Sequence, residues 1–120
     1  MATTQSETIL TALHYLFSHC DGRVVAHCLD LDLVTSGSDI EKAEDRLNSV
    51  VLAQIALCFT AGNFGQLRFK APPQYWNALS DARELPRTHL EVEVPPIVLP
   101  VERSHVSLPV YRHETELVAA

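Results

Sequence analysis

Residues 23–57, RVVAHCLDLDLVTSGSDIEKAEDRLNSVVLAQIAL, constrain the fold more than any other stretch of this chain. An alternating apolar segment leads into Asp30-Leu31-Asp32-Leu33, a short second extended stretch follows, and Gly37-Ser38 opens a long helix. Ser38-Asp39-Ile40-Glu41 fits a capping box, with the Ser38 hydroxyl accepting from the Glu41 amide and the Glu41 side chain returning to the Ser38 amide. Strand, strand and capped helix are thus written in order within one short window.

Upstream, Ile9 to Cys20 reads as a strand that turns at Asp21-Gly22, a dipeptide suited to a type I′ turn because both positions tolerate positive φ. A two-residue turn pairs Cys20 with Arg23, His19 with Val24, Phe17 with Ala26 and Tyr15 with Cys28. That register puts Leu13, Tyr15, Phe17, Val24, Ala26 and Cys28 on one face, which is the expected core face. The other face carries His14, Ser18, Val25 and His27, with Leu16 and Leu29 as apolar exceptions. Leu31 to Ser36 supplies a third strand.

The helix is expected from about Asp39 to Phe59, with Ile40, Ala43, Leu47, Val50, Gln54 and Leu57 near one stripe. Glu41, Lys42, Glu44, Asp45, Arg46 and Asn48 take the other side of its first half. From Val50 to Phe59 the polar face disappears, so this end needs a second covering element: the C-terminal third, a second copy, or a partner. Ala61-Gly62-Asn63 ends the helix as Gly and Asn do at C-caps. Residues 65–70, GQLRFK, suit a short strand, and Pro72-Pro73 starts a short helix with Trp76 and Leu79 as anchors. From Leu85 onward the chain holds five of its seven prolines and no glycine. Leu90, Val92 and Val94 alternate as in a strand, and the rest suits an edge strand or an extended arm.

A chain of 120 residues favours one domain with a modest core. The net charge is −6 and the nine basic residues are scattered. Phosphate-backbone binding needs clustered Lys and Arg, so no direct nucleic-acid binding is expected, and a basic protein partner suits the surface better. The N-terminus has no basic region before an apolar stretch, and the most apolar run, Val50 to Phe59, is too short to span a bilayer. Cys20, Cys28 and Cys58 form no CxxC, which reads as free thiols in a reducing cytoplasm.

The phrases Ala26-His27-Cys28-Leu29-Asp30-Leu31 and Gly37-Ser38-Asp39-Ile40-Glu41-Lys42-Ala43 resemble the HicB-like antitoxin domain. In that family two strands end in a phrase like Ala-x-Cys-Pro-Asp-Leu, and a third leads through Gly-Asp-Thr-x-Glu-Glu-Ala into a helix. Leu29 stands here where proline is usual, and Leu47 with Val50 or Val51 continues the helix spacing. The resemblance implies a small antiparallel β-sheet packed on one long α-helix, a partial ribonuclease-H-like fold, and a small basic RNA-cleaving partner, a HicA-like toxin. Many members add a C-terminal DNA-binding module, whereas the C-terminal third here has no such helical pair.

His19-Cys20 and His27-Cys28 look like repeated metal-ligand pairs, but the hairpin register sends Cys20 and His27 to one face and His19 and Cys28 to the other. Four ligands do not converge, so no metal site is expected. Asp30 and Asp32 lie two apart and face the same way on an extended segment, so with Asp39 or Glu41 they could hold a divalent ion, as in ribonuclease-H-like nucleases. The plainer reading is a solvated strand exit followed by first-turn acids favoured by the helix dipole. None of the six histidines sits in a Ser/His/Asp or Cys/His signature, and His14 and His27 read as surface residues.

The expected fold is α+β, with a HicB-like β-β-β-α core at residues 8–60, an accessory segment with a short helix at 61–84, and a Pro-rich extended arm or edge strand at 85–120. The expected function is non-catalytic protein–protein interaction, as a HicB-like antitoxin or a descendant, with no catalytic residue, cofactor or metal and with a homo-oligomer expected. The alternatives are a stand-alone HicB-like homo-oligomer without a toxin partner and a divalent-metal nuclease using Asp30 and Asp32.

Overall fold

The computed structural model describes residues 11–61, 70–94 and 104–116. Strands β1 (Leu13–Cys20) and β2 (Arg23–Cys28) form the hairpin written by Asp21-Gly22, both of which have positive φ, 53° and 78°. Its register pairs Cys20 with Arg23, Phe17 with Ala26 and Tyr15 with Cys28. β3 (Leu33–Gly37) adds antiparallel to β2, and α1 (Ile40–Ala61) follows.

The helix start differs from the expected capping box. The cap is Asp39, whose Oδ1 accepts from the Lys42 amide at 2.8 Å, while its carbonyl takes the first helical bond from Ala43 at 3.0 Å. Because β3 runs on to Gly37, Ser38 falls one residue outside the cap position. Gly37 has its own reason to be glycine. A Cβ there would meet the Ala43 backbone nitrogen at 2.6 Å, so β3 and α1 approach too closely for any side chain.

The short helix α2 (Pro73–Ala78) continues into a 3-10 turn, Leu79–Asp81, and leads to β4 (Arg83–Val94) and β5 (Ser104–Thr115). Both join the first three strands in one five-stranded sheet of order β3-β2-β1-β5-β4. The sheet is mixed, which corrects the purely antiparallel expectation: β5 lies parallel to β1, with Leu13 opposite Val110 and Ser18 opposite Thr115. Between these parallel strands the chain runs through β2, β3, α1, α2 and β4, far more than the roughly dozen residues that a parallel connection needs.

The proline-rich segment therefore contributes an edge strand, β4, and an inner strand, β5. Its two described prolines sit where a missing N–H breaks no ladder bond. Pro109 precedes by one residue the point where β1 pairing begins, so β5 has only β4 beside it there. Pro86 falls in a bulge of the edge strand, where Pro86 and Arg87 oppose Tyr111 alone. GQLRFK up to Phe69 and the Gly62-Asn63 stop lie outside the described residues, as do residues 1–10.

One face of the sheet and α1 enclose the main core: Leu13, Tyr15, Phe17, Val24, Ala26 and Cys28 against Ala43, Leu47, Val51 and Ile55. Leu90, Val92, Leu108 and Val110 close the same core, so β4 and β5 cover part of the apolar end of the helix within the chain. The buried stripe is rotated from the expected one, and Val50 and Leu57 face out, Leu57 at 61% exposure. Glu44 and Asn48 turn inward instead, because each meets a polar partner. Arg112 clasps Glu44 through Nε and Nη2, both at 2.8 Å, and the Tyr15 hydroxyl donates to Asn48 Oδ1 at 2.7 Å. Burial pushes the Tyr15 hydroxyl above its ordinary value, and nearby acidic groups add to the shift, so it remains a donor.

Candidate functional site: a half-covered groove on the second sheet face

The opposite face carries the polar side chains of the hairpin, and α2 lies over one end of it. Leu16, Leu29 and Ala71 form a second, smaller core with Tyr75, Trp76 and Leu79 packed against it. This explains the two apolar exceptions on that face: they are the floor for α2. The Ala71 amide donates to the Leu29 carbonyl at 2.8 Å, and the Trp76 indole donates to the Ala71 carbonyl at 3.1 Å, which ties the helix entry to the hairpin.

Residues 29–32 are a turn, not the extended segment that alternation suggested, and Asp32 has φ 55°. Asp and Asn are the residues that tolerate this conformation best after glycine. The turn sends the two aspartates to different histidines, so they do not share a divalent-ion site. Asp30 is buried at 8% exposure, accepts from the His14 amide at 2.6 Å, and meets His14 Nδ1 at 3.0 Å. Asp32 is exposed and meets His27 Nε2 at 2.7 Å. Asp39 is committed to the helix cap. Among the described residues no cluster of three or more His, Cys, Asp or Glu has metal-holding geometry.

His27 is not a surface residue, and His14 is half-buried. His27 is buried beneath Tyr75, with ring centroids 4.7 Å apart, and His14 lies between Trp76 and Tyr111 at 5.2 and 5.4 Å. His113 on β5 flanks Leu16 on the side opposite His27, and its Nδ1 is buried without a hydrogen-bond partner among the described residues. His19 faces the other way and meets Glu114 at 2.6 Å. Hydrogen bonds from Arg83 and then His19 hold the Glu114 carboxyl below its ordinary value.

α2 is too short to finish its task. Its six residues and the 3-10 turn span roughly 13–15 Å, against about 27 Å for an eight-residue strand. The uncovered half of the face is an open groove of about 710 Å3, within the range of ligand sites. Ser18, Cys20, Val25 and Val34 line it from the sheet, and Tyr75 and Ala78 from α2. Among the described residues of its lining, Asp32 and Asp81 are the only carboxylates, and no lysine or arginine accompanies them.

The groove offers little for nucleophilic chemistry. A carboxylate, rather than a hydroxyl or thiol, stands against each paired imidazole. Cys20 lies four strand positions from Leu16, the partner of His27, which is roughly 13 Å along the sheet. Burial pushes the Cys28 thiol up to about 12 and raises that of Cys58 as well, so both are held protonated. Among the described residues no helix is long and apolar enough to cross a membrane.

No protein-family model matches the chain, and no curated protein or solved structure matches it.

The sequence signal for this site was the apolar pair Leu16 and Leu29 on an otherwise polar face, which calls for a second cover. The two aspartates carried a turn signal as well, since Asp is favoured in turns through its local hydrogen bonds.

Proposed function

We propose that this chain is a non-catalytic protein–protein interaction domain, a HicB-like antitoxin or a descendant of one, that covers and neutralises a small basic RNA-cleaving toxin. The observation that carries the reading is the groove: an apolar floor with Asp32 and Asp81 as its carboxylates, on a chain of net charge −6. Such a surface favours cationic side chains presented from an apolar partner surface, and charge complementarity of this kind speeds association and rejects acidic competitors. The paired histidines fit the same reading. His14 anchors the Asp30 turn and His27 supports Tyr75, so their bonds hold the floor of a binding surface in place. The β-β-β-α order of residues 13–61, with the helix on the sheet, supports the reading.

The test is affinity purification from the native cell, with mass spectrometry and an RNA-cleavage assay on any complex. The expected result is a stoichiometric complex with one small basic protein whose RNA cleavage is suppressed in the complex and released at high salt. A chain recovered only as a homo-oligomer, or a partner whose RNA cleavage is unaffected, overturns the reading.

A further inference from the structure

The two edges of the sheet are finished differently. β4 carries Pro86, a two-on-one bulge and the charges of Arg83, Glu84, Arg87, Glu91 and Glu93. These are the devices that stop an edge from pairing with another chain. β3 reads Leu-Val-Thr-Ser-Gly, with neither proline nor charge, and its Val34 is 56% exposed at the mouth of the groove.

The hairpin turn fixes which backbone groups of β3 face outward. Residues flanking a two-residue turn form a hydrogen-bonded pair, so Cys20 and Arg23 direct their backbone groups at each other. Alternation then points Val25 and His27 at β1 and points Val24, Ala26 and Cys28 at β3. Through the register, Gly37, Thr35 and Leu33 answer those three, and Val34 and Ser36 point away from the sheet. Arg46 agrees with this assignment, because its Nη1 donates to the Ser36 carbonyl at 2.8 Å from the helix side. Among the described residues no strand pairs with the outer side of β3.

We propose that β3 and the groove together form a strand-addition site for an extended, basic segment of a partner protein. The added strand bonds the N–H and C=O of Val34 and the N–H of Ser36, and Arg46 sets its limit at the Ser36 carbonyl. Alternate side chains enter the groove beside Val34 and Tyr75, and lysine or arginine among them meets Asp32 and Asp81. Main-chain bonding of this type supplies affinity while the pockets for alternate side chains supply selectivity. The two carboxylates of the groove favour a basic segment over a second copy of this acidic chain, while Arg23 and Arg46 stand at the Ser36 end of the edge, where the added strand stops. The inference rests on the proposed interaction function and names its surface.

The experiment uses the isotope-labelled full chain and a hexapeptide of alternating valine and arginine, followed by NMR. The expected result is shift changes at Val34, Thr35, Ser36, Val25 and Tyr75, with amide exchange at Val34 slowed. A peptide N-methylated at the alternate residues that face β3 keeps its side chains but loses its bonds, and should bind about tenfold more weakly. Asp32→Asn combined with Asp81→Asn should weaken the unmodified peptide several-fold, and a valine–glutamate peptide should not bind. Equal binding of the N-methylated peptide, shifts centred on Glu41 and Asp45, or no binding at all overturns the proposal. Concentration-dependent protection of Val34 without peptide also overturns it, because a second copy then occupies the edge. No toxin enters this titration. Peptide binding without a native partner would defeat only the antitoxin reading, and a native complex indifferent to the groove variants would defeat only the strand-addition site.

Discussion

The two faces of the sheet are covered by helices of very different length. α1 has 22 residues, about 33 Å, and reaches across the apolar face from β3 to β4. α2 has six residues, rests on the polar face, and leaves half of it open. On the first face polar groups are paired and sealed, as Arg112 is with Glu44 over the Phe17 ring. On the second they are paired but stay at the margin of a groove, as Asp32 is with His27. The contrast is one of cover: a long helix seals one face, and a short helix with a smaller core leaves the other half open.

That contrast is broken most directly by truncating one large side chain on each face. Phe17→Ala should cost about 3–5 kcal/mol, because Phe17 is fully buried under α1. Trp76→Ala should cost less, about 1–2 kcal/mol, because Trp76 is only half-buried on the groove side. Urea midpoints at constant slope measure both. Equal losses would mean that α2 is as much a part of the core as α1.

The cap prediction sharpens the account of the α1 face. Asp39→Ala should cost about 1 kcal/mol, and Ser38→Ala should stay within about 0.5 kcal/mol of the parent. The reverse order, read from the same unfolding curves, would place the helix start at Ser38 after all.

The smallest effect concerns the far rim, where Glu114 joins Arg83 and His19. Its carboxyl titrates below the ordinary 4.5 in the folded chain, so it contributes stability that is present above that value and lost as the pH falls through the lowered one. The advantage of the parent over Glu114→Gln should therefore shrink steadily below about pH 4.5. An advantage independent of pH from 6 to 3 would show that the carboxylate charge contributes nothing.

Much of the first face was legible because its signals are local. Asp21-Gly22 fixed the turn, the turn fixed the register, and a period of two then sorted every side chain of β1 and β2 onto a face. The helix was legible in extent but not in rotation. Apolar residues surround its second half, and only the inward partners of Glu44 and Asn48 show which stripe is buried. The choice between Ser38 and Asp39 was decided by where β3 ends, which no cap rule contains. The groove was least legible. It depends on a turn at residues 29–32 hidden in an alternating pattern, and on a proline-bearing strand that pairs at the centre of the sheet because Pro109 falls just short of β1.

The pairing of Leu13 with Val110 has a consequence for how the chain reaches this fold. β1, β2, β3 and α1 follow one another and can assemble from neighbouring contacts as synthesis proceeds. β1 cannot gain its second neighbour until β5 has been made, nearly the full length of the described chain later. Closing so long a loop is entropically costly and slow, and until it closes the inner edge of β1 and part of the apolar end of α1 are uncovered. An open strand edge is a template for unwanted pairing, so slowing the arrival of β4 and β5 is expected to lower the yield of folded chain.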